Sequence, residues 1–293
     1  MKKRLAMCLT LMLLVCSLAA CGSSSESSTD TDTSADAETA DAAETADAAE
    51  TEETASYATI EEGVLMVGVE IGYPPMEYFD EDGATPIGFD IELAQALADE
   101  MGLELELVDT AWDGIFAGVD TDKYDVIISS VSWTEERDEN YNLSKTYVAN
   151  APVLVVPSDS EIADIMDLEG KTVAVQMETT ADYLIQEYIE EGLDTDLRQY
   201  EKVINTFDDL KAGRVDAVCT DSVVASYYLG DDANDYMTVW QSDEAEPICM
   251  CLKKGNDELQ AQLEEALDSI KESGQLGEIA TTYFGSDITA DLD

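Results

Sequence analysis

The sequence predicts an α/β protein, with mainly parallel sheets flanked by helices. Two observations carry this. Apolar runs of strand length alternate with amphipathic stretches of helical spacing from about residue 58 onward. Polar clusters follow the apolar runs directly, at the carboxyl ends of strands, where open α/β sheets bind ligands. The chain has 293 residues, enough for one large domain or two modest lobes.

The elements follow in order. Residues 64–70 form an apolar run that reads as a buried strand. In 89–101, Phe89, Leu93, Ala96 and Leu97 fall on one side of a helix. Residues 103–109 alternate apolar and polar, as a half-buried strand does. A short helix at 112–119 and a strand at 125–129 come next, and Arg137 lies at the start of a further helix. Strands are expected at 151–156, 172–176, 216–220 and 248–252. Helices are expected at 181–190, 207–212, 222–229, about 257–273 and 276–284. Alternation of this kind implies sheets covered on both faces.

The amino-terminal segment has a different character. A basic Met1-Lys-Lys-Arg4 precedes 16 largely apolar residues, too short to span a bilayer comfortably and suited to a secretory signal. Leu18-Ala-Ala-Cys21-Gly22 resembles the lipobox of bacterial lipoproteins. That resemblance implies lipidation of Cys21 and tethering to the outer face of the cytoplasmic membrane. Residues 22–57 are low in complexity, acidic and without a basic side chain. They bury too little apolar area to offset ordering entropy and read as a disordered tether.

Composition excludes several functions. Fourteen basic and 66 acidic residues give a net charge of -52, which disfavours nucleic acid and anionic surfaces as partners. The chain has no histidine, so histidine triads and histidine zinc sites are excluded. No cofactor or metal is expected. Once Cys8 and Cys16 leave with the signal and Cys21 carries lipid, Cys219, Cys249 and Cys251 remain, and all read as buried free thiols.

Four polar clusters follow strand ends. The first is Glu70-Ile-Gly-Tyr73-Pro-Pro-Met-Glu77-Tyr78, the second Trp112-Asp113. The third is Ser129-Ser130-Val-Ser132, followed by Arg137. The fourth joins Gln176-Met-Glu178-Thr179-Thr180 to Thr220-Asp221. Arg137, Arg198 and Arg214 are the only arginines beyond the extreme amino terminus. A guanidinium, hydroxyls and helix N–H groups suit a carboxylate, an aspartate suits an ammonium, and aromatic rings suit a side chain. A free amino acid carries both charges on one carbon.

The motifs carry a specific resemblance. Val67-Gly-Val, Tyr73-Pro-Pro-Met-Glu77, Gly88-Phe-Asp-Ile-Glu-Leu-Ala94 and Trp112-Asp-Gly-Ile115 come in order. Asp125-Val-Ile-Ile-Ser-Ser with Thr134-Glu-Glu-Arg137 follows, then Leu168-Glu-Gly-Lys-Thr-Val173, Gly213-Arg-Val-Asp-Ala217 and Tyr283-Phe-Gly285. The chain resembles the solute-binding proteins of polar amino-acid ABC transporters, bacterial family 3, from about residue 65 to 284.

The resemblance implies a two-lobed periplasmic-binding-protein-like fold of type II that closes on its ligand through two hinge segments, near 149–152 and 243–248. The expected organisation is a signal peptide at 1–20 and a lipidated cysteine with tether at 21–57. Lobe one follows at 58–149, lobe two at 150–245, and a return to lobe one at 246–293. Arg137 would pair with the ligand α-carboxylate, helped by Ser130, Ser132 and the Thr180 N–H, with Ser129 and Thr179 also among the ligand-binding residues. Asp221 would take the α-ammonium. Tyr73 and Trp112 would sandwich the side chain, while Glu70, Gln176 and Thr220 would tune selectivity. Glu70 leans toward a polar or cationic ligand. The implied partners are a free amino acid and ABC permease subunits; the protein would act as a monomer and not as an enzyme.

Other readings stay open at this stage. Many relatives place glycine where Glu178 stands, and an added carboxylate there would weaken binding unless it points away. Ser132 or Thr134 could serve as a helix cap, as could Asp221, and Trp112 could be core. Glu77 and Asp113 read as structural acids, and Arg214 as the ion-pair partner of Asp216. A ligand sensor and a dehydratase using Glu70 or Glu178 are the alternative functions.

Overall fold

The computed structural model describes residues 57–231 and 235–289. The expected signal segment, Cys21 and nearly all of the tether lie outside the described residues. Strand β1 (Val64–Val69) leads through the short β2 (Tyr78–Phe79) and β3 (Pro86–Ile87) to helix α1 (Phe89–Met101). Then come β4 (Glu104–Asp109), α2 (Trp112–Asp120), β5 (Val126–Ser132), α3 (Glu135–Asn140) and β6 (Tyr141–Val148). The chain continues with β7 (Pro152–Pro157), β8 (Thr172–Gln176), α4 (Thr180–Glu190), β9 (Asp196–Tyr200) and α5 (Val203–Lys211). β10 (Ala217–Asp221), α6 (Ser222–Asp231), β11 (Tyr236–Gln241), β12 (Ile248–Lys253), α7 (Asp257–Glu272) and α8 (Gln275–Phe284) complete it.

Two five-stranded sheets result. One has the order β4-β1-β5-β12-β6, the other β11-β7-β10-β8-β9. The sheets are mixed rather than mainly parallel in their pairings. β1 runs parallel to β4 and β5, while β12 opposes both β5 and β6. β8 runs parallel to β9 and β10, while β7 opposes both β10 and β11. The reversed strands have one cause. The chain passes between the sheets after β6 and again after β11, each time from a carboxyl end. The receiving strand starts at the cleft and must run away from it, so β7 and β12 point opposite to their neighbours.

Local signals account for most boundaries. In α1, Phe89, Leu93, Ala96 and Leu97 are all buried, and Gly102 ends the helix in the left-handed region at φ 67°. Thr134 accepts the Arg137 N–H at 3.1 Å and caps α3. Ser132 is therefore not the cap; it is the last residue of β5 and is buried. β5 extends three residues past the expected strand and carries the serine cluster within it.

Cys249 and Cys251 share a core cluster with Ile115, Tyr124, Ile127 and Val131, while Cys219 lies in the second lobe; all three are buried free thiols. Gly68 and Gly118 both flank the Tyr124 ring, where any β-carbon would clash. Arg214 pairs with Asp209, its Nε donating at 2.8 Å, and not with the expected Asp216, whose carboxylate accepts the Thr172 N–H. Sequence proximity misled here, because the turn after α5 brings Arg214 back over its last coil.

Candidate functional site

The carboxyl ends of β1, β5, β8 and β10 converge on one cleft. Its walls are Glu70, Tyr73, Trp112, Ser129, Ser130, Ser132, Arg137, Gln176, Thr179, Thr180 and Asp221, together with Glu77. Eleven of the twelve expected residues therefore meet. Thr220 does not reach the cleft; it is buried in β10, with its hydroxyl toward Tyr73. Glu77, read as structural, lines the cleft.

Among the described residues, four hydrogen bonds at the cleft span from one sheet's half to the other. Tyr73 Oη donates to Asp221 at 2.5 Å, and Gln176 Nε2 to Glu70 at 2.7 Å. Trp112 Nε1 donates to the Glu178 carbonyl at 2.9 Å, and Lys202 Nζ to the Ile71 carbonyl at 2.7 Å. The enclosed volume is only about 10 Å³, roughly that of one water. An amino acid can enter only when the halves part.

Arg137 lies over two aromatic faces, with its guanidinium carbon 5.6 Å from the Trp112 ring centre and 5.1 Å from that of Phe116. Its Nη1 donates to the Ser132 carbonyl at 2.8 Å. No ion pair fixes it among the described residues. A guanidinium has five donors, so most of its capacity points toward an anion.

Asp221 is buried, and each of its oxygens holds one donor: Tyr73 Oη on one, Asn150 Nδ2 at 2.6 Å on the other. Burial pushes its carboxyl up, while Tyr73, Asn150 and Arg137 pull it back. Asn150 was not legible as a site residue. It sits on the first crossing, where its carbonyl accepts the Glu246 N–H of the second crossing at 2.8 Å.

Glu70 is 3 % exposed. Burial pushes its carboxyl up to about 7, against the Gln176 hydrogen bond, Lys202 and the Trp112 N–H. Glu70 Oε1 and Gln176 Oε1 are both buried without a hydrogen-bond partner. Two orphaned acceptors side by side call for a donor-rich group.

Glu178 adopts φ 63°, the left-handed region that glycine enters freely, and its N–H donates to Asp182. Its exposed side chain lines an outer cavity of about 860 Å³ that adjoins the cleft at Trp112, Arg137 and Thr180. The backbone thus adopts a conformation that glycine enters freely, while Glu178 stands outside the cleft's own lining. Glu246, on the second crossing, was also missed. Burial raises its carboxyl, the Thr180 hydroxyl lowers it, Asp221 raises it, and Arg137 and Ser132 lower it. A carboxyl of the chain itself therefore borders the anion clamp.

Two α/β halves bridged by two crossings around a closed, charged cleft define a ligand-capturing binding protein. The chain belongs to the bacterial extracellular solute-binding proteins, family 3, whose sequence profile matches residues 65–286. It is similar to the L-cystine-binding protein TcyJ of Escherichia coli (strain K12), 32% identical over 78% of this chain and 85% of that one. An ancestral arginine-binding protein bound to arginine superposes with a TM-score of 0.72, at 33% identity over 76% of this chain and 99% of that one. The ancestral amino acid-binding protein AncCDT-1, a precursor of cyclohexadienyl dehydratase, gives 0.70 at 32% identity, over 76% and 96%.

Proposed function

We propose that the protein captures a free amino acid outside the membrane and delivers it to an ABC permease for uptake. One observation carries this reading: an Arg137 guanidinium without an ion pair among the described residues and a buried Asp221 carboxylate face one closed cleft from its two halves. Arg137 takes the α-carboxylate, with Ser129, Ser130, Ser132, Thr179 and the Thr180 N–H around it. Asp221 takes the α-ammonium. Closure is the readout for the permease, and no bond is made or broken.

The orphaned acceptors of Glu70 and Gln176 favour a polar or cationic side chain, seated between Tyr73 and Trp112. L-Arginine meets them with a guanidinium. L-Cystine, bound by the relative TcyJ, meets them with its distal ammonium. Calorimetry of the purified chain against the proteinogenic amino acids and L-cystine tests this. Saturable binding of one or a few is expected, and no heat with any of them would overturn the reading.

A dehydratase would use Glu70, a cleft carboxyl pushed up to about 7. Release of product from a cyclic carboxylic acid would support that reading. The likeness to a precursor described as amino acid-binding favours capture.

Attachment at Cys21 to the outer face of the cytoplasmic membrane completes the proposal, with the protein acting as a monomer. Labelled fatty acid should enter the wild type and not Cys21→Ser.

A further inference from the structure

Against the Ser129 and Ser130 wall lie two carboxyls that the proposed capture mechanism leaves unused, Glu77 at the edge of the cleft and Asp90 behind it. Glu77 is 1 % exposed and Asp90 0 %. Glu77 Oε1 accepts the Ser129 hydroxyl at 2.7 Å, and the same hydroxyl accepts the Glu70 N–H at 3.0 Å. Asp90 Oδ2 accepts the Ser130 N–H at 2.7 Å, where Ser130 stands in the left-handed region at φ 50°. The remaining oxygens, Glu77 Oε2 and Asp90 Oδ1, are buried without a hydrogen bond of ordinary geometry, and the Tyr147 hydroxyl, orphaned in the same way, lies against Asp90. Two facing carboxylates in a buried site would repel strongly, and one shared proton removes the conflict.

The position of the proton follows from the backbone. Asp90 lies in the first turn of α1, where the helix dipole favours a charge. The Asp90 N–H donates to the Met76 carbonyl at 2.8 Å, which docks the helix start on the loop carrying Glu77. Gly88 permits that approach, since a β-carbon there would strike Met76 O. Glu77 has no helix end or N–H beside it, only the Ser129 hydroxyl. The charge belongs on Asp90 and the proton on Glu77.

We propose that Glu77 is held as a neutral acid that donates to Asp90, and that this shared proton positions the Ser129 and Ser130 turn of the cleft. Glu77 is a positioning residue in this role, and its bearing on ligand rests on the cleft being the amino-acid site. Burial and Asp90 both push the Glu77 carboxyl well up. Glu70 from the end of β1, Tyr73 from the loop and Tyr147 from β6 are the titratable groups that face the pair. As pH rises through the Glu77 value, the pair becomes doubly charged and the turn loses its anchor. Every ligand held by the clamp is weakened alike, whatever its side chain.

The ligand-free protein decides the first part. Its infrared spectrum at neutral pH should hold a carboxylic-acid carbonyl band that Glu77→Gln removes. The Ser130 amide resonance should titrate at alkaline pH in the wild type and stay fixed in Glu77→Gln. A difference spectrum without that band, or an amide that titrates in both, would overturn the proposal. For binding, L-arginine and L-cystine serve as probes between about pH 7 and pH 10. Glu77→Ala should lose about tenfold or more in affinity. Glu77→Gln should restore it and remove the part of the alkaline decline that exceeds the loss of the ligand's own α-ammonium proton; an excess that persists in Glu77→Gln would sink the positioning role. Failure of both probes to bind the wild type would count against arginine and cystine as ligands and leave this proposal to the spectroscopic tests, which need no ligand.

Discussion

Tyr73 and Asp221 meet across the cleft, the phenol donating to the carboxylate at 2.5 Å. Tyr73 comes from the loop after β1 and Asp221 from the end of β10, so one hydrogen bond joins residues 148 positions apart. A hydrogen bond to a charged group contributes about 1.5–3 kcal/mol. Tyr73→Phe should shift the ligand-free protein toward the open form. Small-angle scattering should then give a larger radius of gyration for the variant, one that added ligand reduces. An unchanged radius would show that this contact does not hold the halves together.

Arg137→Ala should weaken binding by about 2–5 kcal/mol, since the ligand carboxylate would be buried without its partner. Arg137→Lys should recover only part of this. Lysine lacks the planar fork that bonds Ser132 while lying over Trp112 and Phe116. Titration calorimetry on the three proteins checks both steps.

Glu70 sets a pH dependence of stability. Its folded value of about 7 lies above its ordinary 4.5. Between these values the unfolded chain has given up the proton and the folded chain retains it. Stability therefore falls as pH rises through that window, by up to about 3 kcal/mol, and is flat below it. Glu70→Gln should reduce the fall, measured as the difference in melting temperature between about pH 5 and pH 8. A cationic ligand that ionises Glu70 would release a proton near pH 7, visible as buffer-dependent binding heat.

Glu246→Gln should tighten binding. Its carboxyl borders Arg137, Thr180 and Ser132, so its negative charge opposes an incoming carboxylate. Removing one charge at a partly screened distance should gain up to about tenfold in affinity. Weaker binding would show instead that Glu246 holds the clamp in shape.

Cys219, Cys249 and Cys251 should resist thiol reagents in the native protein and react once denatured. All three are buried, and burial pushes the Cys249 thiol up to about 12 and the other two higher still. Labelling of any of the three without unfolding would reveal local opening.

The fold was legible wherever burial wrote itself into the sequence. β1, α1 and β8 have their apolar residues in runs or at helical spacing. The unforeseen strands β6, β9 and β11 are sheet edges. An edge strand has one neighbour and a solvated face, so Asp196-Leu-Arg-Gln-Tyr200 carries no apolar run to betray it. The cleft was legible because its donors and acceptors follow strand ends. Asn150 and Glu246 were not, since a crossing segment has no periodicity and their roles exist only where two crossings meet. Glu77 was read as a structural acid because nothing in its neighbours reveals that it faces Asp90.

The paired crossings have a consequence for change over time. Ser242 N–H and Glu246 N–H reach Pro152 O and Asn150 O, so the chain enters and leaves the β7 to β11 half at one place. That half is a cassette with adjacent ends. Exchanging it whole would replace Gln176, Thr179, Thr180 and Asp221 at a stroke while leaving Arg137 and its aromatic bed untouched. New ligand preferences could arise by recombination without rebuilding the anion clamp.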